Sequence, residues 1–177
     1  MTARVAVAIA ALPETSAFAL YGLHEVLSSA GRAWGAIAGA AAAAPVVDVS
    51  IVAAGREPFR LARGVPVVPD AAFSDDRRFG AVIVPDLAVS PAQDPRGRWP
   101  EAARWLRAQC AGGALMCSVC SGALALADSG LLDGVEATTH WAYADTFRRH
   151  FPAVRLRVER VLVAGGEERR FLTSGGA

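Results

Sequence analysis

Two residues, Val119 and Cys120, separate a stretch with strand character, Gly113 to Ser118 (GALMCS), from a helical stretch, Ser121 to Ser129 (SGALALADS), that stops at Gly130. So abrupt a change from strand to helix is compatible with few architectures. It suits the carboxyl edge of a parallel sheet, where a strand feeds a helix through a tight turn and ligands and catalytic groups collect. The backbone of such a turn is cramped, and Ser118, Ser121 and Gly122 supply the small residues it needs. Cys120 stands at its apex.

The rest of the chain repeats this alternation. Arg4 to Ala10, Val46 to Ala53 and Ala81 to Val84 read as strands, the last of a kind buried on both faces. Phe18 to Ala30 spaces Leu20, Leu23, Val26 and Leu27 helically, with Gly31 as a stop. Trp99 to Ala111 is an amphipathic helix with Ala102, Ala103, Leu106 and Cys110 on one side and Arg104 and Arg107 facing away. Trp141 to Phe151 reads as a helix ended by Pro152, followed by strand-like runs at Val154 to Val158, Val161 to Ala164 and Phe171 to Thr173. Val65 to Val68, between prolines, is an edge strand or half of a hairpin. The alanine-rich run Ala36 to Ala44 reads as a helix extension or a loop insertion, too short and too weakly apolar to span a bilayer. The expected fold class is α/β, a largely parallel sheet covered on both faces. With no internal repeat or linker in 177 residues, one domain over 1–177 is expected.

Charge and cysteine content narrow the function classes. A formal net charge of +1 leaves no electrostatic footprint for nucleic acid or an acidic membrane surface. Val5 to Leu12 follows Arg4 like the core of a signal peptide, but it runs into Pro13-Glu14-Thr15 without a clear cleavage site, so a buried first strand is preferred. Three cysteines, an odd count, do not make a disulfide framework, and a reducing, cytoplasmic compartment is the simpler reading. No second C-x-x-C or His pair accompanies Cys117 and Cys120, so neither a metal nor a cofactor is expected.

Two readings of Cys120 stand side by side. A helix starting at Ser121 aims free N–H groups at the sulfur, which favours thiolate over thiol and suits a developing oxyanion. A free cysteine is also among the most buried residue types, so Cys120 can be an inert core residue. A Cys117–Cys120 redox pair is a third option, weakened because Cys117 looks like the end of a strand.

The run Cys117 to Tyr143, CSVCSGALALADSGLLDGVEATTHWAY, resembles the central signature of the ThiJ/PfpI superfamily. More narrowly, its S-V-C-[ST]-G elbow, GLLDG turn and ATTHW strand end resemble the GlxA-like branch, whose members form the amino-terminal domains of many AraC-type transcription regulators. The flanking PDLAVSPAQDPRGRWP and the closing FLTSGGA are similar to the same branch. The resemblance implies a flavodoxin-like three-layer sandwich with a cysteine nucleophile elbow, a homodimer, and a small pocket at the cysteine near the dimer interface. His140, the His of TTHW, lies near the cysteine in related proteins, where it orients a ligand or moves a proton; tying two loops together is its structural alternative. Cys120 and His140 are therefore the candidate catalytic pair, and Glu14, Asp86, Val119, Ser121 and Gly122 the candidate ligand-binding residues. Related domains continue into another helix, so the chain is expected to lack the family's last helix.

The sequence also departs from the superfamily. Its enzymes usually place an acid early in the first helix against the sulfur, and that position falls on Ala19; Glu14 is a substitute at the wrong offset. Peptidase-like members have His after the cysteine, where this chain has Ser121. A Gly pair that helps form the oxyanion hole is replaced by Pro85-Asp86-Leu87. Asp86 reads as a ligand hydrogen-bonder or as a turn residue. The first expectation is a sensing domain that binds a small metabolite, nitrogenous or amino-acid-like, near Cys120, with DNA contacted only through a module outside this chain. The alternative is a cysteine-dependent enzyme, a hydratase, lyase or hydrolase of the isocyanide hydratase kind; a weaker one is a redox sensor working through oxidation of Cys120.

Overall fold

A computed structural model describes residues 4–30 and 46–176. In chain order its strands are β1 (Val5–Ala10), β2 (Val47–Ala53), β3 (Phe59–Arg60), β4 (Pro66–Val67), β5 (Ala71–Ala72), β6 (Ala81–Val84), β7 (Leu115–Val119), β8 (Glu136–Ala137), β9 (Arg155–Leu156), β10 (Leu162–Gly165) and β11 (Phe171–Ser174). The α-helices are α1 (Ala17–Ser29), α2 (Pro100–Ala111), α3 (Ala123–Asp128) and α4 (Ala144–His150). Seven strands form one sheet in the order β10-β11-β7-β6-β1-β2-β5. Every neighbouring pair is parallel except β10 with β11. The mostly parallel α/β sandwich expected from the sequence is thus observed, with the elbow strand β7 between β6 and β11.

Alternation along the strands divides the interior in two, because successive side chains leave opposite faces of a sheet. Ala8, Ala10, Val52, Val82, Val84 and Met116 pack on one face with Trp105 and Leu106 of α2 and Leu124 and Leu126 of α3. Ile9, Ala11, Ile51 and Ala53 pack on the other with Leu20 of α1. β1 is buried on both sides, which is why its sequence is continuously apolar.

The differences from the sequence expectations lie mostly in short elements. Val65 to Val68 resolves as a hairpin, with β4 pairing antiparallel to β3. β3, β5 and β8 are two residues each, too short to leave a periodic signal. The strand expected over Val154 to Val158 shortens to β9 because its parallel partner, β8, has only two residues to offer. The helix expected over Ser121 to Ser129 begins as a 3₁₀ turn, Cys120–Gly122, before α3; likewise a 3₁₀ turn, Trp141–Tyr143, precedes α4. Ala36 to Ala44 lies outside the described residues. Among the described residues, no helix is long and apolar enough to cross a membrane.

Candidate functional site

β7 delivers the site. It ends at Val119 in an extended conformation, and Cys120 follows at φ 56°, a left-handed backbone unusual for a residue with a side chain. The strain is held from three sides. The Thr139 hydroxyl donates to the Cys120 carbonyl at 3.0 Å. Gly122 brings the turn so close to the end of β6 that a Cβ there would run into the carbonyl oxygens of Val84 and Pro85. Gly176 lies over the sulfur, and a Cβ at that position would stand 3.5 Å from Sγ. Strain kept by its surroundings in this way is a mark of functional sites.

The carboxylate beside the sulfur comes from the loop after β6. Asp86 lies close enough to Cys120 for its charge to act on the sulfur. Asp86 Oδ1 accepts from Ser121 Oγ at 2.6 Å and Oδ2 from Ser16 Oγ at 2.5 Å. Burial works to raise the Asp86 pKa, but hydrogen bonds, those from Ser121 and Ser16 foremost, outweigh it and hold the carboxyl below its ordinary range. Burial, then the adjoining Asp86 carboxylate, pushes the Cys120 thiol up to about 11, and the Ser121 amide and hydroxyl pull the other way. Burial and Asp86 thus act against the thiolate that a helix start at Ser121 favours, and the pieces that follow the sulfur are only a 3₁₀ turn and a six-residue helix.

Other candidates fall into different places. Ser121 is fully buried; its hydroxyl accepts from the Leu87 amide at 2.7 Å and faces both Asp86 and the Leu87 carbonyl. It shapes the site from beneath instead of facing a ligand, and Gly122 serves close packing. The Leu87 amide, bonded to Ser121, is also withdrawn from any oxyanion hole. Val119 closes β7 in register with Ser174. Glu14 does not join the cluster: it accepts from Arg98 Nε at 2.8 Å and from the Trp99 indole at 3.1 Å, pinning the loop 85–99 to the start of the chain. Ala19 is buried in α1, as a core residue.

His140 caps the 3₁₀ turn before α4, its Nδ1 accepting from the Ala142 amide at 3.2 Å. Its ring lies 5.1 Å from Trp141 and 6.4 Å from Tyr143, centroid to centroid. Among the hydrogen bonds of the described residues none joins it to Cys120. The Tyr143 hydroxyl donates to the Val89 carbonyl at 2.6 Å, and burial followed by the charge of Asp86 raises its pKa. Ser16 and Tyr143 were not among the expected site residues. Ser16 has the signature of a helix N-cap, and Tyr143 sits within the THWAY run, but nothing local says that either reaches the loop after β6.

Cys117 and Cys120 are both free thiols. Burial alone pushes Cys117 up to about 11, and its place inside β7 points away from a redox pair at a helix start. A separate cavity of about 450 Å³ is lined by Glu136, Arg157, Arg160 and neighbouring β10 residues and does not include Cys120. Among the described residues no group of three or more His, Cys, Asp or Glu could hold a metal ion.

The sequence profile of the DJ-1/PfpI family matches residues 33–166. The isonitrile hydratase of Pseudomonas putida is 34% identical over 105 residues, 59% of this chain and 44% of that protein. The HTH-type transcriptional regulator GbdR of Pseudomonas aeruginosa (strain UCBPP-PA14) is 30% identical over 113 residues, 64% of this chain and 29% of the regulator. The chain thus spans less than half the length of either relative. A solved THiJ/PfpI family protein from Pseudomonas syringae shares the fold, with a TM-score of 0.73 at 24% identity over 99% of this chain and 64% of that one.

Proposed function

The chain belongs to the DJ-1/PfpI family, and from that premise we propose that it is the ligand-sensing domain of an AraC-type transcription regulator, binding a small nitrogenous metabolite beside Cys120. The observation that carries this reading is the carboxylate held at the cysteine elbow: the Ser16 and Ser121 hydroxyls are both bonded to Asp86, which favours its charged form as an acceptor. An acceptor so placed suits a donor-bearing ligand, and its charge works against the thiolate that attack on carbon requires. The similarity to an HTH-type regulator supports the regulatory context. DNA contact is assigned to a module outside this chain, in keeping with a net charge of only +1, and the domain is placed in the cytoplasm.

A homodimer formed through α1 belongs to the same reading. That helix leaves Phe18 79% and Val26 71% exposed, apolar surface of the kind that a second copy would cover. Its N-cap residue, Ser16, bonds to Asp86, so a ligand acting on Asp86 has a direct path to this helix.

The test is a thermal-shift screen of small amines, amino acids and their derivatives. A ligand at a hundred times its Kd adds about 2.7 kcal/mol of apparent stability. The shift is expected to vanish in Asp86→Ala. A screen in which nothing stabilises the protein, or in which Asp86→Ala responds as fully as the parent, removes the sensing reading. The identity to isonitrile hydratase supports a second reading, hydration of a small electrophile. Isonitrile turnover that disappears in Cys120→Ala would establish it over the first.

A further inference from the structure

We infer that the cavity beside β10 is a second ligand site, suited to a small oxyanion (a carboxylate or a phosphate), and that its occupation braces the Cys120 elbow. It lies apart from the pocket proposed above and needs no ligand there.

The cavity measures about 450 Å³, a volume that suits a small metabolite, and its walls are mostly polar. Glu136 of β8, Arg157, Glu159 and Arg160 supply its charges. Arg157 is already fixed in place: Nε at 3.0 Å and Nη2 at 2.5 Å both donate to Glu136 Oε1. Among the described residues Arg157 Nη1 has no acceptor, and the Arg160 guanidinium has neither a hydrogen bond nor an ion pair. Arg155 is near enough for its charge to reach Glu136, so three arginines face two glutamates and the excess is cationic. Guanidinium groups with open donors match the oxygens of a carboxylate or phosphate.

The turn that carries these arginines also grips the elbow. The Arg160 amide closes it on the Arg157 carbonyl at 2.9 Å. The Arg160 carbonyl accepts from Thr138 Oγ1 at 2.8 Å, and the next residue, Thr139, holds the Cys120 carbonyl. The Val161 carbonyl accepts from the Gly175 amide at 2.8 Å. Gly175 is wedged between two carbonyls: a Cβ on it would lie 3.3 Å from the Thr139 oxygen and 3.5 Å from the Arg160 oxygen. Its neighbour Gly176 lies over the sulfur. Residues 160 and 161 therefore hold both segments that keep Cys120 in its left-handed conformation. An anion bridging Arg157 and Arg160 ties this turn to β8, and the ordering passes to both segments.

Titration with sodium phosphate and, separately, sodium succinate tests this, each against sodium chloride at matched ionic strength. Phosphate also stabilises proteins by exclusion from their surface, so the readout is saturation together with its loss in a variant. The thermal shift of the parent is expected to saturate with one anion or both, and the tighter one identifies the oxyanion. Arg160→Gln, at an exposed position, keeps the backbone bonds of the turn. It is expected to weaken binding about tenfold or more, the scale of a hydrogen bond to a charged group. In the parent the bound anion is expected to slow hydrogen exchange over residues 137–140 and 171–176; at the same anion concentration Arg160→Gln shows no such slowing. Failure of both anions to saturate overturns the inference, as does equal affinity in Arg160→Gln. Saturable binding that leaves exchange in those two segments unchanged overturns it as well.

Discussion

A Cβ on Gly122 would meet two backbone carbonyl oxygens, those of Val84 and Pro85, and neither can swing aside as a flexible side chain would. The same closeness lets the Ser121 hydroxyl bond to Asp86 and Leu87 across the gap between β7 and the loop after β6. Gly122→Ala is therefore expected to destabilise the chain by about 3 kcal/mol or more, as overpacking against a rigid neighbour does. Urea denaturation measures it. A loss below about 1 kcal/mol would mean that the turn relaxes away from β6, and the Ser121–Asp86 bond would have to relax with it. At this scale the sequence was a good guide to residue types and a poor one to partners. The small residues around Cys120 were legible because a tight turn demands them locally. Asp86 was visible only as a departure from a Gly pair, and its partner Ser16 lies 70 positions away in the chain.

Between β6 and α2 the chain runs through a long loop, Pro85 to Trp99, that has almost no secondary structure yet is tied down along its length. Ser16 and Ser121 hold Asp86, Tyr143 holds Val89, Thr146 donates to the Pro91 carbonyl at 2.7 Å, and Asp128 accepts from the Gly97 amide at 2.6 Å. Glu14 closes the far end through Arg98 and Trp99. Glu14→Ala leaves the largely buried Trp99 indole without its acceptor and is expected to cost about 1–3 kcal/mol. Hydrogen exchange should quicken over residues 94–99 while the strands of the central sheet keep their protection. Exchange that stays unchanged over 94–99 would mean that Glu14 does not hold this end of the loop. The longer elements, β1, β2, β6, α1 and α2, were legible from periodicity because each presents a whole face to the core. The loop was not, since its order comes from side chains of α1, α3 and α4 and from no pattern of its own.

Across the whole molecule, the response to alkali rests on unusually few groups. The chain has no lysine, so all its basic side chains other than histidine are arginines, which stay charged throughout the accessible range. Between pH 8 and 11 the side chains left to titrate are three cysteines and two tyrosines. Cys117 is pushed to about 11 by burial, and Cys120 to about 11 by burial and then by Asp86, against an ordinary value of 9.0. A group whose pKa is higher in the fold than in the unfolded chain contributes stability that is complete below the unfolded value. That contribution is lost as pH rises through the folded one. The melting temperature is therefore expected to hold up to about pH 8.5 and then to fall steadily toward 11. Cys117→Ala with Cys120→Ala removes both titrating thiols, so its melting temperature, compared with its own value at neutral pH, should decline far less over that window. Tyr143, also raised by burial and by Asp86, leaves a residual slope in the double variant. If parent and double variant lose stability in parallel, the two thiols are not held neutral by the fold.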